Sequence, residues 1–198
     1  MQIGEQVVNI RIIGKNHDIY ADGSGTAPLT FETVEIVENR AMHSEEISTN
    51  GWAGTDLYAY VNNELLNSID PEVSNKIKPV LKLTNTGNSS TTLDESINKI
   101  FILSLKEIFG EYSASGMEVY NLEGSQYEYY LEATVDPGSY NTNAAKLDLN
   151  GEVAEWWTRT LIHTSSDIFF LVQSSGVVTP KMSQPSVNSC GVSFAFCF

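Results

Sequence analysis

Alternation of apolar and polar residues marks the first third of the chain. Residues 6–13, QVVNIRII, and residues 29–37, LTFETVEIV, both show this pattern. A period of two is typical of a half-buried β-strand, so we predict two strands here. The intervening residues 21–28, ADGSGTAP, are rich in turn formers and predict a loop.

Two helices are predicted next. Thr55 can cap a helix that runs to about Ser68, because apolar residues recur at helical spacing along it. These residues are Leu57, Val61, Leu65 and Ile69. Asp70, Pro71 and Glu72 then supply a cap, a proline suited to the first helical position and an acid in the first turn. They predict a second helix, with a buried face formed by Val73, Ile77 and Val80.

A polar stretch of low complexity follows the helices. Residues 84–92, TNTGNSSTT, predict an exposed and mobile loop. The run KIFILSL at 99–105 has the length of a strand, and Ser104 with Glu107 matches the capping-box pattern. We therefore predict a strand followed by one or two helical turns that end at Gly110.

The rest of the chain divides into an irregular part and a strand-rich part. Residues 111–150 contain few apolar runs but many tyrosines, and such a stretch is usually functional or held by specific packing. From Glu155 onward, EWWTRTL, DIFFLVQ, GVVTPKM and GVSFAFCF predict an antiparallel terminal set of strands. This order of elements indicates an α+β fold in a single domain over residues 1–198.

Charge and apolar content narrow the range of partners. The 198 residues have a formal net charge of −14, which repels nucleic-acid phosphates and anionic membranes. No run of about 18 apolar residues occurs, so we expect neither nucleic-acid binding nor membrane insertion. The first residues, MQIGEQVVNIRIIG, do not resemble a secretory signal. We expect the protein to stay in the cytosol that made it or to leave by another route, such as assembly into a phage particle.

Residues with catalytic or metal-binding chemistry are sparse. The chain has three histidines, His17, His43 and His163. They lack the spacing of metal ligands, and the sequence contains neither a phosphate-binding glycine loop nor a nucleophile elbow. We therefore expect no metal, no cofactor and no catalytic residue. Loop acids such as Asp94 and Glu95 are expected to be solvated rather than paired for glycoside hydrolysis.

Cysteines and aromatic residues say more about the interior. Cys190 and Cys197 are too few for a disulfide framework, so we expect two free thiols buried in a terminal strand. Trp156 and Trp157 are adjacent, and strand alternation points them to opposite faces, so at least one lies in the core.

The tyrosines of residues 111–140 leave two interpretations open. They can pack inside, or they can present their rings to a ligand, because an aromatic face binds apolar patches while the hydroxyl hydrogen-bonds. The candidate ligand-binding residues are Tyr112, Tyr120, Tyr127, Tyr129, Tyr140 and His163. We expect the binding surface in this region and in the turns at 163–167 and 183–190.

Several fragments, in order, carry a resemblance to a known family. They are GKNHDIY, GTAPLTFETVEIV, NGWAGTDLYAYVNNELLNSIDPEVSNKIKPVLKLT, FILSLKEIFG, EGSQYEYY, EWWTRT and GVSFAFCF. Over about residues 12–198 they resemble a domain family of unknown function found in Gram-positive gut bacteria and their phages. The family pattern has a GW..SD.R..LN helix start, a QY.YY segment, a WWLRS strand and a final GVRPAF strand. This family is similar to the C-type-lectin-like superfamily, which includes formylglycine-generating enzymes and the variable proteins of diversity-generating retroelements.

The resemblance implies a C-type-lectin-like fold with two helices, small antiparallel sheets and a loop-rich half that displays ligand-binding positions. The residues that match family motif positions are Trp52, Asp56, Asn62, Glu107, Gln126, Tyr127, Trp156, Trp157, Arg159 and Gly191. Structural roles are expected for Trp52, Asp56, Glu107, Trp156, Trp157 and Arg159. A buried Arg159 would pair with Asp56 or Glu107, with direct ligand contact as the alternative. Tyr58 and Ser193–Phe194 stand where the family has arginine and Arg-Pro, so binding through those arginines is not carried over.

The function expected from this resemblance is non-enzymatic. It is a lectin-like display domain on a phage tail or capsid that binds host-surface glycans or proteins, with bacterial cytoplasm or cell surface as the alternative location. Contacts with other virion proteins and assembly into a homo-oligomer, specifically a trimer, are also expected. The alternative is a purely structural decoration protein. A copper oxidase of the formylglycine-generating type is less favoured, because the spacing of Cys190 and Cys197 does not match that enzyme's signature.

Overall fold

The computed structural model of the protein consists of short strands in small sheets, with few helices. It describes residues 1–45, 51–113, 116, 118–178 and 183–198. The strands are β1 (Gln2–Ile3), β2 (Gln6–Val7), β3 (Ile10–Lys15), β4 (Leu29–Thr33), β5 (Glu38–Ala41), β6 (Val80–Asn85), β7 (Leu93–Asn98), β8 (Ile100–Phe101), β9 (Thr134–Asp136), β10 (Tyr140–Asn141), β11 (Lys146–Leu147), β12 (Val153–Ala154), β13 (Trp156–Leu161), β14 (Ile168–Val172), β15 (Ser183–Pro185), β16 (Ser189–Val192) and β17 (Ala195–Cys197). The helices are α1 (Asp56–Tyr60), α2 (Leu66–Ser68), α3 (Pro71–Ser74), α4 (Leu105–Phe109) and α5 (Glu128–Leu131). A π-helical segment, Val61–Leu65, joins α1 to α2, and 3-10 turns lie at Trp52–Gly54, Glu118–Leu122 and Thr142–Ala144. The predicted α+β class is confirmed.

Two sheets form the centre of the molecule. The four-stranded sheet has the order β3-β4-β17-β8, so β17 lies between strands from the first half of the chain. The five-stranded sheet has the order β15-β14-β13-β16-β5. Its strands β13 and β16 pair in parallel, with Trp156 opposite Gly191, so the prediction of an entirely antiparallel terminal set is wrong. The chain passes from β15 at one side of β13 to β16 at the other, and this crossover gives the two strands the same direction.

The first predicted helix is present and the second is cut short. Thr55 caps α1 by accepting a hydrogen bond from the Tyr58 backbone at 3.0 Å, and helical structure continues to Ser68. Asp70 caps α3 in the same way, but α3 ends at Ser74. Pro79 disfavours helical backbone at the residue before it. Val80 is therefore buried as the first residue of β6, and not as part of a helix face.

The polar stretch at 84–92 is shorter as a loop than predicted, because its first two residues belong to β6. The rest is bound to the turn after β13 through backbone hydrogen bonds from Asn88 to Ser165 at 2.8 Å and from Ser89 to His163 at 2.7 Å. Gly87 passes close to this turn with a φ of 69°, a left-handed conformation that favours glycine.

Strand β13 separates two apolar cores. Trp157 packs into one core with Trp52 and Leu57, and Trp156 packs into the other with Phe101 and Phe170. Both β13 tryptophans are fully buried, and each indole N–H donates to a backbone carbonyl at 2.8–2.9 Å. The predicted alternation is confirmed, and both side chains lie in the interior.

Candidate functional site

A cleft of about 220 Å³ lies beside the β6–β7 hairpin, and we call it the charged cleft. Its rim is formed by His17, Ile19, Leu81, Leu83, Glu95 and Ser125. Its floor is formed by the side chains of Asp18, Lys82, Glu107 and Arg159, each at most 4% exposed. The cleft therefore combines an accessible rim with a buried, ionised floor.

Lys82 lies at the centre of the floor. Its position in β6 between Leu81 and Leu83 turns it inward, where it donates to Asp18, to Glu107 Oε1 at 2.9 Å and to the Tyr127 hydroxyl at 2.8 Å. Its Nζ lies 3.9 Å from the centre of the Phe101 ring. All three protons of the ammonium group are therefore hydrogen-bonded, which offsets the cost of burying the charge.

Arg159 and Glu107 form a bidentate ion pair next to Lys82. The Arg159 Nη1 and Nη2 groups donate to Glu107 Oε2 at 2.5 Å and Oε1 at 2.9 Å. Glu107 is held in place by the capping box of α4, because its Oε2 accepts the Ser104 backbone N–H at 2.9 Å. The predicted capping box thus orients the acid that neutralises Arg159.

The floor acids are ionised at neutral pH. Burial alone would raise the pKa of Asp18, but the Lys82 charge and hydrogen bonds from Lys82 and Thr30 lower it to about 2. Burial likewise opposes ionisation of Glu107, yet Arg159 and Lys82 outweigh it and lower its pKa. Behind the floor, burial raises the pKa of Glu123 despite the nearby Arg159 charge. Glu123 accepts hydrogen bonds from Thr160 and from the Asn85 amide and backbone, so it is enclosed by protein groups.

The rim carries hydrogen-bonding groups that face solvent. His17 stacks on the Tyr127 ring with 4.0 Å between centroids, and its Nε2 lies 3.3 Å from the Ser125 hydroxyl. Ser125 and Glu95 are exposed. On the floor, Arg159 Nε has no hydrogen-bond partner among the described residues. The rim groups can therefore meet a ligand, whereas Arg159 Nε is buried and is not reached from solvent.

A family model described as a domain of unknown function, DUF6273, matches residues 24–198. The chain belongs to this family. A search of curated proteins and a search of solved structures each found no match. The matched DUF6273 segment contains Lys82, Glu107 and Arg159, whereas His17 and Asp18 lie before it. None of the helices in the described ranges is long and apolar enough to cross a membrane.

Three candidate tyrosines of the DUF6273 domain lie inside the protein, not on its surface. Tyr112, Tyr120 and Tyr127 are 8%, 2% and 0% exposed. Tyr112 and Tyr120 pack edge to face at 5.9 Å between ring centroids, and Tyr120 continues the stack onto Phe170. The expectation that these rings face a ligand at the surface is corrected, because their area is used in core packing. Only the Tyr127 hydroxyl reaches the charged cleft, through Lys82 and Asp18.

The other candidate ligand-binding residues are dispersed. Tyr129 is half-buried and its hydroxyl accepts a hydrogen bond from Arg11 at 2.5 Å. Tyr140 is half-buried in β10, where it pairs with Asp136. His163 borders a separate, mainly apolar pocket of about 330 Å³ with Val119 and Leu122, and its ring Nδ1 lacks a hydrogen-bond partner in the described part of the chain. The structure does not bring these side chains together at one site.

The motif residues serve the architecture of the domain. Trp52 donates to Asn98 at 2.8 Å, and Asn62 donates to the Ile100 carbonyl at 2.9 Å. Asp56 does not reach Arg159; its side chain is 55% exposed and accepts from the Ser44 backbone at 2.9 Å, with His43 at 3.3 Å. Arg159 therefore has Glu107 and not Asp56 as its partner.

The two cysteines are free and buried, as predicted, but they lie in two strands of different sheets. Burial raises the pKa of Cys190 to about 12 and also raises the pKa of Cys197, where the Asp18 charge adds to the effect. Both are protonated thiols at neutral pH. Across the described residues, no group of three or more histidine, cysteine, aspartate or glutamate side chains could hold a metal ion.

Most of the charged cleft was missed from the sequence. Its residues come from separate segments near residues 17, 82, 95, 107, 125 and 159. The family motifs name Glu107 as one of two candidate partners for Arg159, but no motif indicates that all these segments meet in one cleft. A second signal was not used: Lys82 takes an inward position between Val80 and Thr84 in an alternating strand. A lysine at a buried position requires an internal counter-ion, so it indicates a buried polar network.

Proposed function

We propose that this DUF6273 domain is a non-enzymatic binding module that takes its ligand in the charged cleft. The observation that carries the proposal is the cleft floor, where two acids and two bases neutralise one another beneath an open rim of polar and apolar side chains. Such a floor is rigid, because each charge is held by several hydrogen bonds. A rigid polar surface at the base of a cleft can position a ligand with little ordering cost.

The electrostatics of the floor support binding in preference to catalysis. A general acid or base works best when its pKa lies near the working pH. Asp18 and Glu107 have lowered pKa values and are occupied by Lys82 and Arg159, so neither is poised to exchange a proton at neutral pH. Glu123 is enclosed by its hydrogen bonds and does not line the cleft.

We further infer a C-type-lectin-like fold and a place on a virion surface. Support for the fold comes from β17, which inserts between β4 and β8 and so joins the two halves of the chain. The acidic charge of −14 suits an exposed, soluble surface that repels phosphate polymers. On this proposal the domain is displayed on a phage tail or capsid, as a homo-oligomer, and binds glycans or proteins of the host surface.

Labelled protein tests the proposal on intact cells of Gram-positive gut bacteria, measured by flow cytometry. We expect saturable binding to at least one strain and its loss in Ser125→Trp, which fills the rim of the cleft. Ser175→Trp is the matched control, because Ser175 is exposed in a turn outside the cleft. Equal binding by both variants would contradict the proposed site. Failure on every host, together with tight binding to phage capsids or tails, would favour the decoration role.

A further inference from the structure

A mainly apolar pocket of about 330 Å³, with Val119 and Leu122 in its lining, opens next to the charged cleft, and we call it the apolar pocket. Leu122 lines the apolar pocket and Gly124 lines the charged cleft. Two residues of chain span at most about 7 Å, so the two sites are neighbours. Glu123 between them is buried and accepts hydrogen bonds from the Asn85 backbone and amide, whereas Leu122 and Gly124 are exposed. Both flanking residues therefore lie on the outer surface of the segment that Glu123 anchors.

The β6–β7 hairpin also borders both sites. Glu95 of β7 lines the charged cleft, and Thr91, just before β7, lines the apolar pocket. Side chains two residues apart in an extended peptide lie about 7 Å apart on the same face. One extended peptide can therefore place a side chain in each site.

The charge that solvent reaches at the two sites is negative. Among the described residues that line them, the exposed charged side chains are Glu95 in the charged cleft and Glu118 in the apolar pocket. The floor of the charged cleft is buried, and its two acids and two bases cancel. The overall charge of −14 has the same sign as the two exposed acids. A basic side chain is therefore attracted to this surface and an acidic one is repelled.

Apolar side chains at both sites favour a peptide over a simple cation or a neutral glycan. Ile19, Leu81 and Leu83 line the charged cleft, and Ile19 is 56% exposed. They can pack against the methylene stem of a lysine or arginine whose charged group pairs with Glu95. Leu122, which is 52% exposed, offers a second apolar contact in the apolar pocket. A simple cation leaves both apolar surfaces bare, and a neutral glycan is not drawn by the negative charge.

We infer that the charged cleft and the apolar pocket together bind an extended peptide segment of a host-surface protein. The segment places a lysine or arginine in the charged cleft and a large apolar side chain, two residues away, in the apolar pocket. This inference rests on the proposed function, because it names the ligand class of the same cleft and extends the site to the neighbouring pocket.

A peptide array tests the ligand class. Labelled full-length protein is applied to short peptides of glycine and serine that carry one basic and one apolar residue at every spacing. We expect the strongest binding at a spacing of two residues, and about tenfold weaker binding where glutamate replaces the basic residue. Added salt should reduce the preference for basic residues, because it screens exposed charges. An array without preference for a basic and an apolar residue would overturn the inference.

Two pairs of variants test the two halves of the site with the strongest peptide of the array. Glu95→Lys should weaken binding at least about fivefold, the upper end for an exposed ion pair. Its control is Glu72→Lys, at an exposed position of α3 outside both sites. Leu122→Ser should weaken binding about tenfold through lost apolar contact. Its control is Leu131→Ser, because Leu131 is 61% exposed and also lies outside both sites. The controls should change nothing, and an unchanged affinity in Glu95→Lys or Leu122→Ser would overturn the inference.

Protease treatment of the host cells separates this inference from the proposed function. We expect cell binding to be lost after protease treatment and to be competed by the strongest peptide. Cell binding that survives protease treatment, but is lost in Ser125→Trp, would overturn the peptide ligand and leave the binding module standing. Its loss after glycosidase treatment would then identify a glycan. Absence of both cell and peptide binding in a protein with native circular dichroism would overturn the inference and the proposed function together.

Discussion

The ion pair between Glu107 and Arg159 gives the sharpest test of how the interior is held together. Glu107→Gln keeps the size of the side chain but removes the carboxylate that pairs with Arg159, and it leaves Asp18 as the acid paired with Lys82. Both partners are essentially unexposed, so the unmatched charge cannot be hydrated. Breaking a buried pair in this way costs about 3–5 kcal/mol. That is a large part of the about 5–15 kcal/mol that stabilises a typical domain, and it lowers the melting temperature by roughly 6–20 °C.

Urea denaturation followed by tryptophan fluorescence measures this loss. The control is Glu111→Gln, which breaks the ion pair between Lys106 and Glu111. The N–O distance of that pair is 2.5 Å, the same as the shorter Arg159–Glu107 contact, but the Glu111 side chain is 76% exposed. Exposed pairs contribute about 0–1 kcal/mol, so the control should stay within that range. Equal losses in the two variants would refute the argument that burial sets the cost.

A matched double variant separates charge from packing. Arg159→Met removes the guanidinium and retains apolar volume, and Glu107→Gln combined with it removes the remaining unmatched acid. We expect the double variant to be more stable than the sum of the single losses by about 0.5–3 kcal/mol, the usual range for residues in direct contact. Strict additivity would show that the two side chains act independently.

Three further predictions follow from groups already described. Folding lowers the pKa of Asp18 to about 2 and also lowers the pKa values of Glu32 and Glu107. The stability that these carboxylates contribute is therefore present above about pH 4 and is lost as the pH falls through their pKa values in the folded protein. Urea midpoints measured from pH 6 to pH 2 should fall steeply, and the fall should be shallower in Asp18→Asn; an unchanged slope would contradict the role of Asp18. Burial raises the thiol pKa of Cys190 to about 12 and also raises the thiol pKa of Cys197. An aromatic disulfide reagent at pH 8 should therefore label neither cysteine in the native protein and both in denaturant. Rapid labelling of the native protein would contradict their burial. Gly87→Ala places a Cβ 2.0 Å from the Ser165 carbonyl oxygen, whereas Gly23→Ala, at a similar φ of 72°, places a Cβ that meets nothing within 4 Å. Gly87→Ala should therefore lower the free energy of unfolding by about 1–3 kcal/mol more than Gly23→Ala. Thermal melts that do not separate the two variants would disprove the close approach.

Local sequence signals predicted the elements that depend on neighbouring residues. Thr55 and Ser104 mark helix starts because a cap and its target N–H lie within three residues of each other. The apolar spacing of α3 continues past Ser74 and so predicts Val80 on a helix face, but Pro79 turns the backbone into β6. Elements whose boundaries depend on adjacent residues could therefore be predicted from the sequence, except that the effect of Pro79 on the end of the second helix was not.

Features that depend on distant residues could not be read in this way. The parallel pairing of β13 with β16 is set by where the intervening strands lie, and no pattern within either strand encodes it. The charged cleft joins Asp18, Lys82, Glu107 and Arg159 from four separate segments. Tyrosine suits both core and surface, so composition could not decide that Tyr120 and Tyr127 are buried. Each of these outcomes required the tertiary arrangement.

Strand β13, which is buried at every position from Trp156 to Leu161, has a consequence for how the molecule opens. Because it is the common wall of the two apolar cores, a fluctuation that opens one core exposes a strand on which the other core also depends. The two cores should therefore lose their structure together, and the β13 amide protons should exchange with solvent only when the whole domain unfolds. Loops at the cleft rim lie outside this shared wall, so their sequences can diversify while the cooperative unit that carries them stays intact.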